Sequence, residues 1–176
     1  MKKIAIVVGH TQDSQGACSE HGIPCEWTYN TKVASYLEDV ADVYFHDSYK
    51  HGYSKMIEKT SAELNKHNYE LVLLLHYNSA NPSAKGTEVL FYHTNAKGGE
   101  LAKDLCNRVC KAFGTQNRGA KGIQRHEHGG YALYKPKATT LLIEPFFGSN
   151  SEDVSKFKNK EKEYANVLRS FFVENF

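Results

Sequence analysis

Short apolar runs alternate with amphipathic segments along this chain, and the alternation predicts its secondary structure. Uninterrupted runs such as LVLLL, directly before His76, are typical of strands covered on both faces. Apolar residues at helical spacing predict helices in the intervening segments. We predict strands at residues 3–9, 40–46, 70–76, 87–92 and 139–144. We predict four helices: one that begins near Glu26, one at 54–66, one at 98–113 and a last one that includes Val154 to Phe171. This order indicates an α/β domain with a central, mostly parallel (mixed) sheet flanked by helices on both faces.

The segments between these elements carry weaker signals. Residues 11–25 and 114–138 are polar and contain glycine, so we predict loops there, the second with a short extended piece. Ser149, with Glu152 three residues later, fits a capping box at the start of the last helix. We interpret Asn150 as a capping residue and not a catalytic one.

The composition is that of a soluble globular protein, with 40% hydrophobic and 24% charged residues. A chain of 176 residues is long enough to bury one core, so we expect a single domain over residues 1–176. The net charge of +2, without a basic block, argues against nucleic acid as a partner. The apolar runs are too short to insert in a membrane. The N-terminal MKKIAIVVGH lacks a cleavage-site pattern, so we expect synthesis in the cytoplasm without a signal peptide.

The chain has four cysteines, Cys18, Cys25, Cys106 and Cys110. Cys106 and Cys110 are four residues apart beside the apolar face of a predicted helix. No paired CxxC spacing is present, which argues against a cysteine zinc site. We interpret the cysteines as buried free thiols.

Three predicted strands end on a potential metal ligand or acid–base group, namely His10, His76 and Glu144. A fourth such residue, Glu26, opens the first helix. Each has a structural alternative, such as a glycine turn, a helix N-terminus, an ion pair or a hydrogen-bonded strand end. Together they favour a functional site, because the carboxyl ends of parallel strands meet at one edge of the sheet. A carboxylate directly after Leu141, Leu142 and Ile143 is also costly to desolvate unless it is paired or bound to metal.

Two imidazoles and one carboxylate form the ligand set of several catalytic zinc hydrolases. Such a site keeps a net positive charge, which can lower the pKa of bound water and polarise a carbonyl group. A second carboxylate outside the ligand set can move the proton from the water to the leaving amine.

The chain resembles the zinc-dependent N-acetylmuramoyl-L-alanine amidases, the catalytic domains of bacterial autolysins and phage endolysins. Five motifs follow the family's order and approximate spacing, and together they cover nearly the entire chain. They are VVGH at 7–10, CEWTYN at 25–30, LLLHYNSA at 73–80, KGTEVLFY at 85–92 and LLIEPFFGSN at 141–150. The loop after His10, TQDSQGACSEHG, departs from the Gly- and Asp-rich loop of many members. The resemblance to the family therefore predicts the metal site of this chain better than its substrate specificity.

The resemblance implies one zinc ion bound by His10, Glu26 and His76, with Glu144 as the catalytic carboxylate. It also implies cleavage of the amide between N-acetylmuramic acid and L-alanine in peptidoglycan. We therefore expect a monomer that acts on the cell wall after release, as in phage lysis. Nothing in the sequence resembles an appended wall-binding domain.

Four further residues are candidate substrate contacts: Asn78, Trp27, Arg118 and His126. The HEH sequence around His126 lacks the spacing of a helical HExxH zinc site, so we interpret it as part of an exposed or groove-lining loop. Two other functions fit the same residues. One is a zinc peptidase that cuts the stem peptide, and the other is a metal-stabilised wall-binding module without activity.

Overall fold

A six-stranded sheet forms the centre of the protein and carries helices on both faces. The computed structural model describes residues 2–176. The strands are β1 (Ile4–Val8), β2 (Asp42–Phe45), β3 (Leu71–Leu75), β4 (Thr87–Tyr92), β5 (Asn117–Ile123) and β6 (Thr139–Glu144). The helices are α1 (Glu26–Ser35), α2 (Tyr53–Leu64), α3 (Ala96–Phe113), α4 (Gly130–Tyr134), α5 (Ser151–Phe157) and α6 (Glu161–Asn175).

The strand order is β2-β1-β3-β6-β4-β5. The first four strands of this order run parallel, whereas β4 is antiparallel to β6 and parallel to β5. Val8 pairs with Leu75 and Leu75 with Ile143, so the ends of β1, β3 and β6 are level. Because β4 and β5 run in the opposite direction, they begin where the other four strands end, and Glu88 pairs with Glu144. We call this the C-terminal edge of the sheet.

The two faces of the sheet bury separate apolar cores, because successive side chains of a strand point to opposite faces. Ile4, Ile6 and Val8 of β1 belong to the larger core, together with apolar residues of α1, α3, α5 and α6. Ala5 and Val7 belong to the smaller core, together with residues of α2 and α4. The structure therefore confirms the predicted α/β fold with a mixed sheet between two helical layers.

A row of aromatic rings connects the larger core to the C-terminal edge. Phe157 of α5 stacks on Phe113 of α3, with ring centroids 4.1 Å apart, and on Phe146, at 4.7 Å. Phe146 follows β6 and stacks in turn on Tyr77, at 4.8 Å. Tyr77 and Phe146 both contact Tyr29 of α1 edge to face. This row fixes the segments that leave β3 and β6 at the C-terminal edge.

The prediction for residues 114–138 is wrong in part, because this segment contains a seven-residue strand and a short helix. The sequence NRGAKGI, with two glycines and two basic residues, has little intrinsic strand propensity. It becomes β5 because it pairs with β4 along the sheet edge, from Thr87 with Asn117 to Tyr92 with Ile123. Tertiary pairing outweighs local propensity here.

The C-terminal segment also differs from the prediction of a single capped helix. Asn150 caps α5 by accepting a hydrogen bond from the Asp153 amide. The Ser149–Glu152 capping box is therefore wrong, since the Ser149 hydroxyl accepts a hydrogen bond from the Ala80 amide instead. The helix is broken at Asn159, which has φ +60°, a left-handed conformation that asparagine tolerates better than most residues.

The prediction of free thiols is wrong for two of the four cysteines. Cys18 and Cys25 form a disulfide, because the loop after β1 folds back and brings their Cα atoms to 4.1 Å. Cys106 and Cys110 are free, and Cys106 is fully buried in α3. The disulfide ties the loop to the residue directly before α1.

None of the helices in residues 2–176 is both long enough and apolar enough to cross a membrane.

Candidate metal centre and active site

The C-terminal edge brings together the strand-end residues that the sequence singled out. β1 leads through Gly9 to His10, β3 leads directly to His76, and β6 ends on Glu144. His10 has φ +65°, so the backbone turns sharply at this residue. Thr11 and Ser14 then exchange two backbone hydrogen bonds that close the turn. A histidine held in the left-handed region is strained, and such strain is concentrated at functional sites.

Glu26 lies between the two histidines at the start of α1. Its Oε2 is 3.1 Å from His10 Nε2, and its Oε1 is 2.8 Å from His76 Nδ1. The same carboxylate accepts hydrogen bonds from the backbone amides of Ala17, at 3.2 Å, and Tyr77, at 3.1 Å. The Glu26 side chain is buried, so these four donors replace the water that it loses on folding.

These contacts determine the protonation state of Glu26. Burial alone raises the pKa of a carboxyl group, but the hydrogen bonds and charges of His10 and His76 outweigh it and lower the pKa of Glu26 to about 2. The group is therefore ionised at neutral pH and presents a negative charge to both imidazoles.

The loop before α1 holds this carboxylate in place. Ala17 accepts a hydrogen bond from the Glu26 amide at 2.8 Å, and Gln15 accepts one from the Trp27 amide at 3.0 Å. The Tyr77 hydroxyl lies 2.7 Å from the Ala17 carbonyl oxygen. The Cys18–Cys25 disulfide closes the loop beside these contacts. The loop, the helix start and the segment after β3 are thus joined around one side chain.

Two glycines make room for the imidazoles. A Cβ atom at Gly9 would lie 2.3 Å from the His76 ring, and one at Gly16 would lie 2.5 Å from the His10 ring. Real Cβ atoms do not approach other heavy atoms this closely, so both rings are held by close backbone contact. The donor atoms of His10, Glu26 and His76 all lie within 4.8 Å of one another.

This donor set fits a zinc ion. Two neutral imidazoles and one carboxylate leave a coordination position for water or substrate, as in catalytic zinc sites. Donor atoms on a tetrahedral zinc are about 3.4 Å apart when the bonds are about 2.1 Å long. Here the two imidazole nitrogens lie 2.8 Å from Oε1 and 3.1 Å from Oε2 of Glu26, so the carboxylate is close to both other ligands. Within residues 2–176, this is the one group of three histidine, cysteine or acidic residues close enough to bind a metal.

Glu144 lies in the same pocket but in a different environment. Its side chain is buried, and its Oε2 has no hydrogen-bond partner among residues 2–176. Burial, together with the negative charges of Glu26 and Glu88, raises its pKa well above the usual value for a carboxyl group. An unpartnered carboxyl oxygen with a raised pKa is suited to exchange a proton with a bound molecule.

Glu88, opposite Glu144 in the sheet, is fully paired. Its carboxylate accepts hydrogen bonds from the side chains of Asn78, at 3.1 Å, Arg118, at 2.6 Å, and Lys121. The hydrogen bonds and charges of these two cations outweigh burial and lower the pKa of Glu88. The two carboxyl groups of the β4–β6 pair therefore have opposite shifts in pKa.

A cavity of about 580 Å³ connects these groups, and we call it the catalytic pocket. Its lining includes the three candidate ligands and Glu144, together with Asn78, Ser79, Tyr49, Tyr53 and His128. The four residues proposed for metal binding and proton transfer are thus accessible from one pocket.

The four predicted substrate contacts occupy different positions. Asn78 lines the catalytic pocket, whereas His126 lines a neighbouring cavity. Arg118 is engaged by Glu88 and also lies 4.9 Å above the ring of Phe147. Trp27 packs against Phe45, with ring centroids 6.2 Å apart. All four remain predictions as substrate contacts.

The sequence prediction overlooked His46, which also lines the catalytic pocket. The pattern that identified the other two histidines also applies to His46. VYFH places His46 directly after β2, and VVGH and LLLH place His10 and His76 after the ends of β1 and β3. His46 Nδ1 lies 2.7 Å from the Thr60 hydroxyl, which itself donates to the Met56 carbonyl oxygen. This arrangement assigns the hydrogen to Nδ1 and leaves Nε2 as an acceptor. Burial, reinforced by the charges of His76 and His10, lowers the pKa of His46 to about 4.

Replacing Gly16 with alanine should weaken metal binding. The new Cβ would lie 2.5 Å from the His10 ring and 2.6 Å from Glu26 Oε2, so both donors must move. We expect the zinc affinity to fall by roughly 10- to 100-fold, as for other changes that disturb ligand orientation. Gly114→Ala is the matched control, since Gly114 also has a positive φ but no neighbouring atom within 4 Å of its Cβ position. Equal zinc affinities of the two variants in a competition titration would contradict the assigned site.

His46 should make the metal-free protein less stable in acid. Its pKa is about 4 in the folded chain and 6.5 in an ordinary environment, so the unfolded chain binds the proton more tightly. The stabilisation is complete above pH 6.5 and is lost as the pH falls toward 4. Between pH 7 and pH 5 this group should cost about 2 kcal/mol of unfolding free energy.

Urea unfolding at both pH values, with chelator present, measures this effect. The His46→Gln variant should show a correspondingly smaller loss, whereas the exposed-site control His93→Gln should behave as the wild type. A His46→Gln protein with the full wild-type pH dependence would show that another group is responsible.

Comparisons with known proteins place the chain in a family. The structure is similar to the catalytic domain of CD27L endolysin targeting Clostridia difficile, with 29% identity, a TM-score of 0.81, and coverage of 99% of this chain and 98% of that one. It shares its fold with an N-acetylmuramoyl-L-alanine amidase from Clostridium difficile 630, at 15% identity, a TM-score of 0.79 and coverage of 98% and 96%. It also shares its fold with the N-acetylmuramoyl-L-alanine amidase AmiC2 of Nostoc punctiforme, at 20% identity, with a TM-score of 0.72 and coverage of 97% of this chain and 95% of that one.

A search of curated protein sequences gives no significant match. The sequence model of the N-acetylmuramoyl-L-alanine amidases matches residues 4–168, which include all six strands and the strand-end residues described above. The chain therefore belongs to the N-acetylmuramoyl-L-alanine amidase family.

Proposed function

We propose that this protein hydrolyses the amide between N-acetylmuramic acid and L-alanine in peptidoglycan with one bound zinc ion. The observation that carries the proposal is the cluster of His10, Glu26 and His76 beside the unpartnered Glu144 in one pocket. A member of this amidase family with this donor set has both parts that metal-assisted amide hydrolysis requires.

His10, through Nε2, and His76, through Nδ1, would hold the metal together with the Glu26 carboxylate, because these are the atoms that converge. When bound, zinc would supply a positive charge that polarises the scissile carbonyl, lowers the pKa of water and favours the ionised form of Glu144. The strand ends and the amides of Ala17 and Tyr77 keep the ligands in place before any metal arrives.

Glu144 would carry the proton. As a carboxylate it accepts a proton from the attacking water, whose oxygen bonds to the carbonyl carbon of the lactyl group. It then donates the proton to the alanine nitrogen as the carbon–nitrogen bond breaks. The products are a free lactyl carboxylate on the sugar and a peptide with a new alanine amino terminus. Glu144 lines the pocket, and no side chain or amide among residues 2–176 forms a hydrogen bond to its Oε2.

The proposed substrate is a wall polymer, so we propose that the protein acts on the cell wall. Asn78 is the predicted substrate contact nearest to this chemistry in the sequence, two residues after His76. Its side-chain oxygen accepts a hydrogen bond from the Ser79 amide, and its nitrogen donates to Glu88. We propose that it shapes the pocket wall against which the substrate lies.

Removal of the metal should abolish activity. Dialysis against a chelator should eliminate release of new alanine amino termini from purified peptidoglycan, and one equivalent of zinc should restore it. His10→Ala and His76→Ala should each lose zinc in metal analysis, whereas the exposed-site control His93→Ala should retain it. Full activity in metal-free protein would refute the zinc dependence. Cleavage that releases free amino acids or cuts cross-bridges would instead indicate a peptidase.

Glu144→Gln should retain zinc and stability but lose most of its turnover. The amide preserves the shape of the side chain but cannot accept and return the proton, so kcat should fall by roughly 10²- to 10⁴-fold. Glu152→Gln is a suitable control, because Glu152 is exposed and forms ion pairs with Lys85 and Lys156. Turnover of Glu144→Gln near the wild-type rate would exclude Glu144 as the proton carrier.

A further inference from the structure

A second cavity, of about 830 Å³, adjoins the catalytic pocket. The two share Tyr49, Tyr53, His128 and Gly129 in their linings, so these residues lie at the boundary between the two cavities. The second cavity is also lined by Arg125, after which we name it the Arg125 pocket. No contact described so far gives the Arg125 pocket a role in the hydrolysis.

Arg125 differs from the other arginines of the chain. Arg108, Arg118 and Arg169 each form an ion pair with at least one carboxylate. Arg125 has no carboxylate within 4 Å among residues 2–176. The sequence neighbour Glu127 does not pair with it, because its carboxylate accepts a hydrogen bond from the Gln124 amide.

Aromatic rings hold the guanidinium of Arg125 in place. It lies 4.9 Å from the ring centroid of Tyr134 and 5.4 Å from that of Tyr131. Tyr131 is itself fixed, since its hydroxyl donates to Glu58 at 2.8 Å. A cation–π contact does not itself require the N–H groups of a guanidinium as hydrogen-bond donors. Arg125 is therefore an exposed cation that contacts two aromatic rings and has no carboxylate partner among residues 2–176.

Neither acidic residue of the Arg125 pocket pairs with Arg125. Glu58 pairs with Lys55 and accepts a hydrogen bond from Tyr131, and Glu127 accepts one from the Gln124 amide, a neutral donor. His126 and His128 add nitrogen atoms to the lining. By contrast, Arg118 and Lys121 both form ion pairs with Glu88.

We propose that the Arg125 pocket is a subsite for a carboxylate of the peptide on the alanine side of the cleaved bond. This inference rests on the proposed function. In a muramoyl peptide the sugars are uncharged, whereas the peptide that follows the alanine carries free carboxylates. A planar guanidinium recognises a carboxylate through two parallel hydrogen bonds. Tyr49 and Tyr53, which line both cavities, would then contact the peptide between the cleaved bond and the subsite.

The test compares two muramoyl tetrapeptides, one with free carboxylates and one with all its carboxylates amidated. For Arg125→Gln we expect kcat/KM on the free-acid substrate to fall roughly 10- to 100-fold, mainly through KM, as is typical for loss of a charged hydrogen-bonded pair. On the amidated substrate, the wild type and Arg125→Gln should agree within about twofold. Arg125→Lys should recover only part of the loss, because lysine keeps the charge without the paired donors.

Arg169→Gln is the matched control, since Arg169 pairs with Asp39 outside both cavities. An equal loss on both substrates would overturn the carboxylate subsite and favour sugar or backbone contacts instead. The absence of loss on either substrate would overturn it as well.

Binding separates this inference from the proposed function. If the wild type with zinc fails to cleave either substrate, the proposed function fails. Calorimetric titration of the same two tetrapeptides into wild type and Arg125→Gln then decides the subsite alone. Tighter binding of the free acid that disappears in Arg125→Gln supports the subsite, and equal binding by the two proteins refutes it.

Discussion

The shared carboxylate of Glu26 is the constraint on which the rest of the site depends. A buried carboxylate is tolerated only where donors replace its lost water, and here two imidazoles and two backbone amides do so. Those donors come from the turn after β1, the loop before α1 and the end of β3. The ends of β1 and β3 must therefore lie at the same level of the sheet. The pairing of Val8 with Leu75 places them there.

The pocket contains two buried carboxyl groups whose pKa values are shifted in opposite directions. Glu26 is buried among donors and its pKa is lowered to about 2, whereas Glu144 is buried without a donor for Oε2 and its pKa is raised. Burial is common to both, so the surrounding hydrogen bonds and charges decide the difference. Those of the two imidazoles lower the pKa of Glu26, whereas the negative charges of Glu26 and Glu88 add to burial at Glu144. Such a separation of pKa values is how one pocket assigns different roles to similar side chains. Glu26 is fixed as a permanent anion, and Glu144 retains the capacity to exchange a proton.

Much of this arrangement was predictable because parallel strands bring their ends together. The runs before His10, His76 and Glu144 identified the strands and the residues that line one cavity at their ends, and His46 fits the same rule although it was not singled out. Features that arise from tertiary contact were not predictable. β5 exists because β4 offers a free edge, and the Cys18–Cys25 disulfide depends on how a polar loop folds back. Local sequence carries neither piece of information.

The basic residues between Arg118 and Arg125 show why residue type alone does not locate a binding site. Arg118 and Lys121 lie in a glycine-rich basic segment that resembles a surface for an anionic polymer, yet both neutralise Glu88. That pairing limits the negative charge beside Glu144, so these two cations neutralise a carboxylate of the protein and are not free to bind an anionic ligand. Arg125 pairs with no carboxylate among residues 2–176 and lines the cavity beside the catalytic pocket. A cation available to a ligand is recognised by the absence of a carboxylate partner, and only the folded chain reveals which one that is.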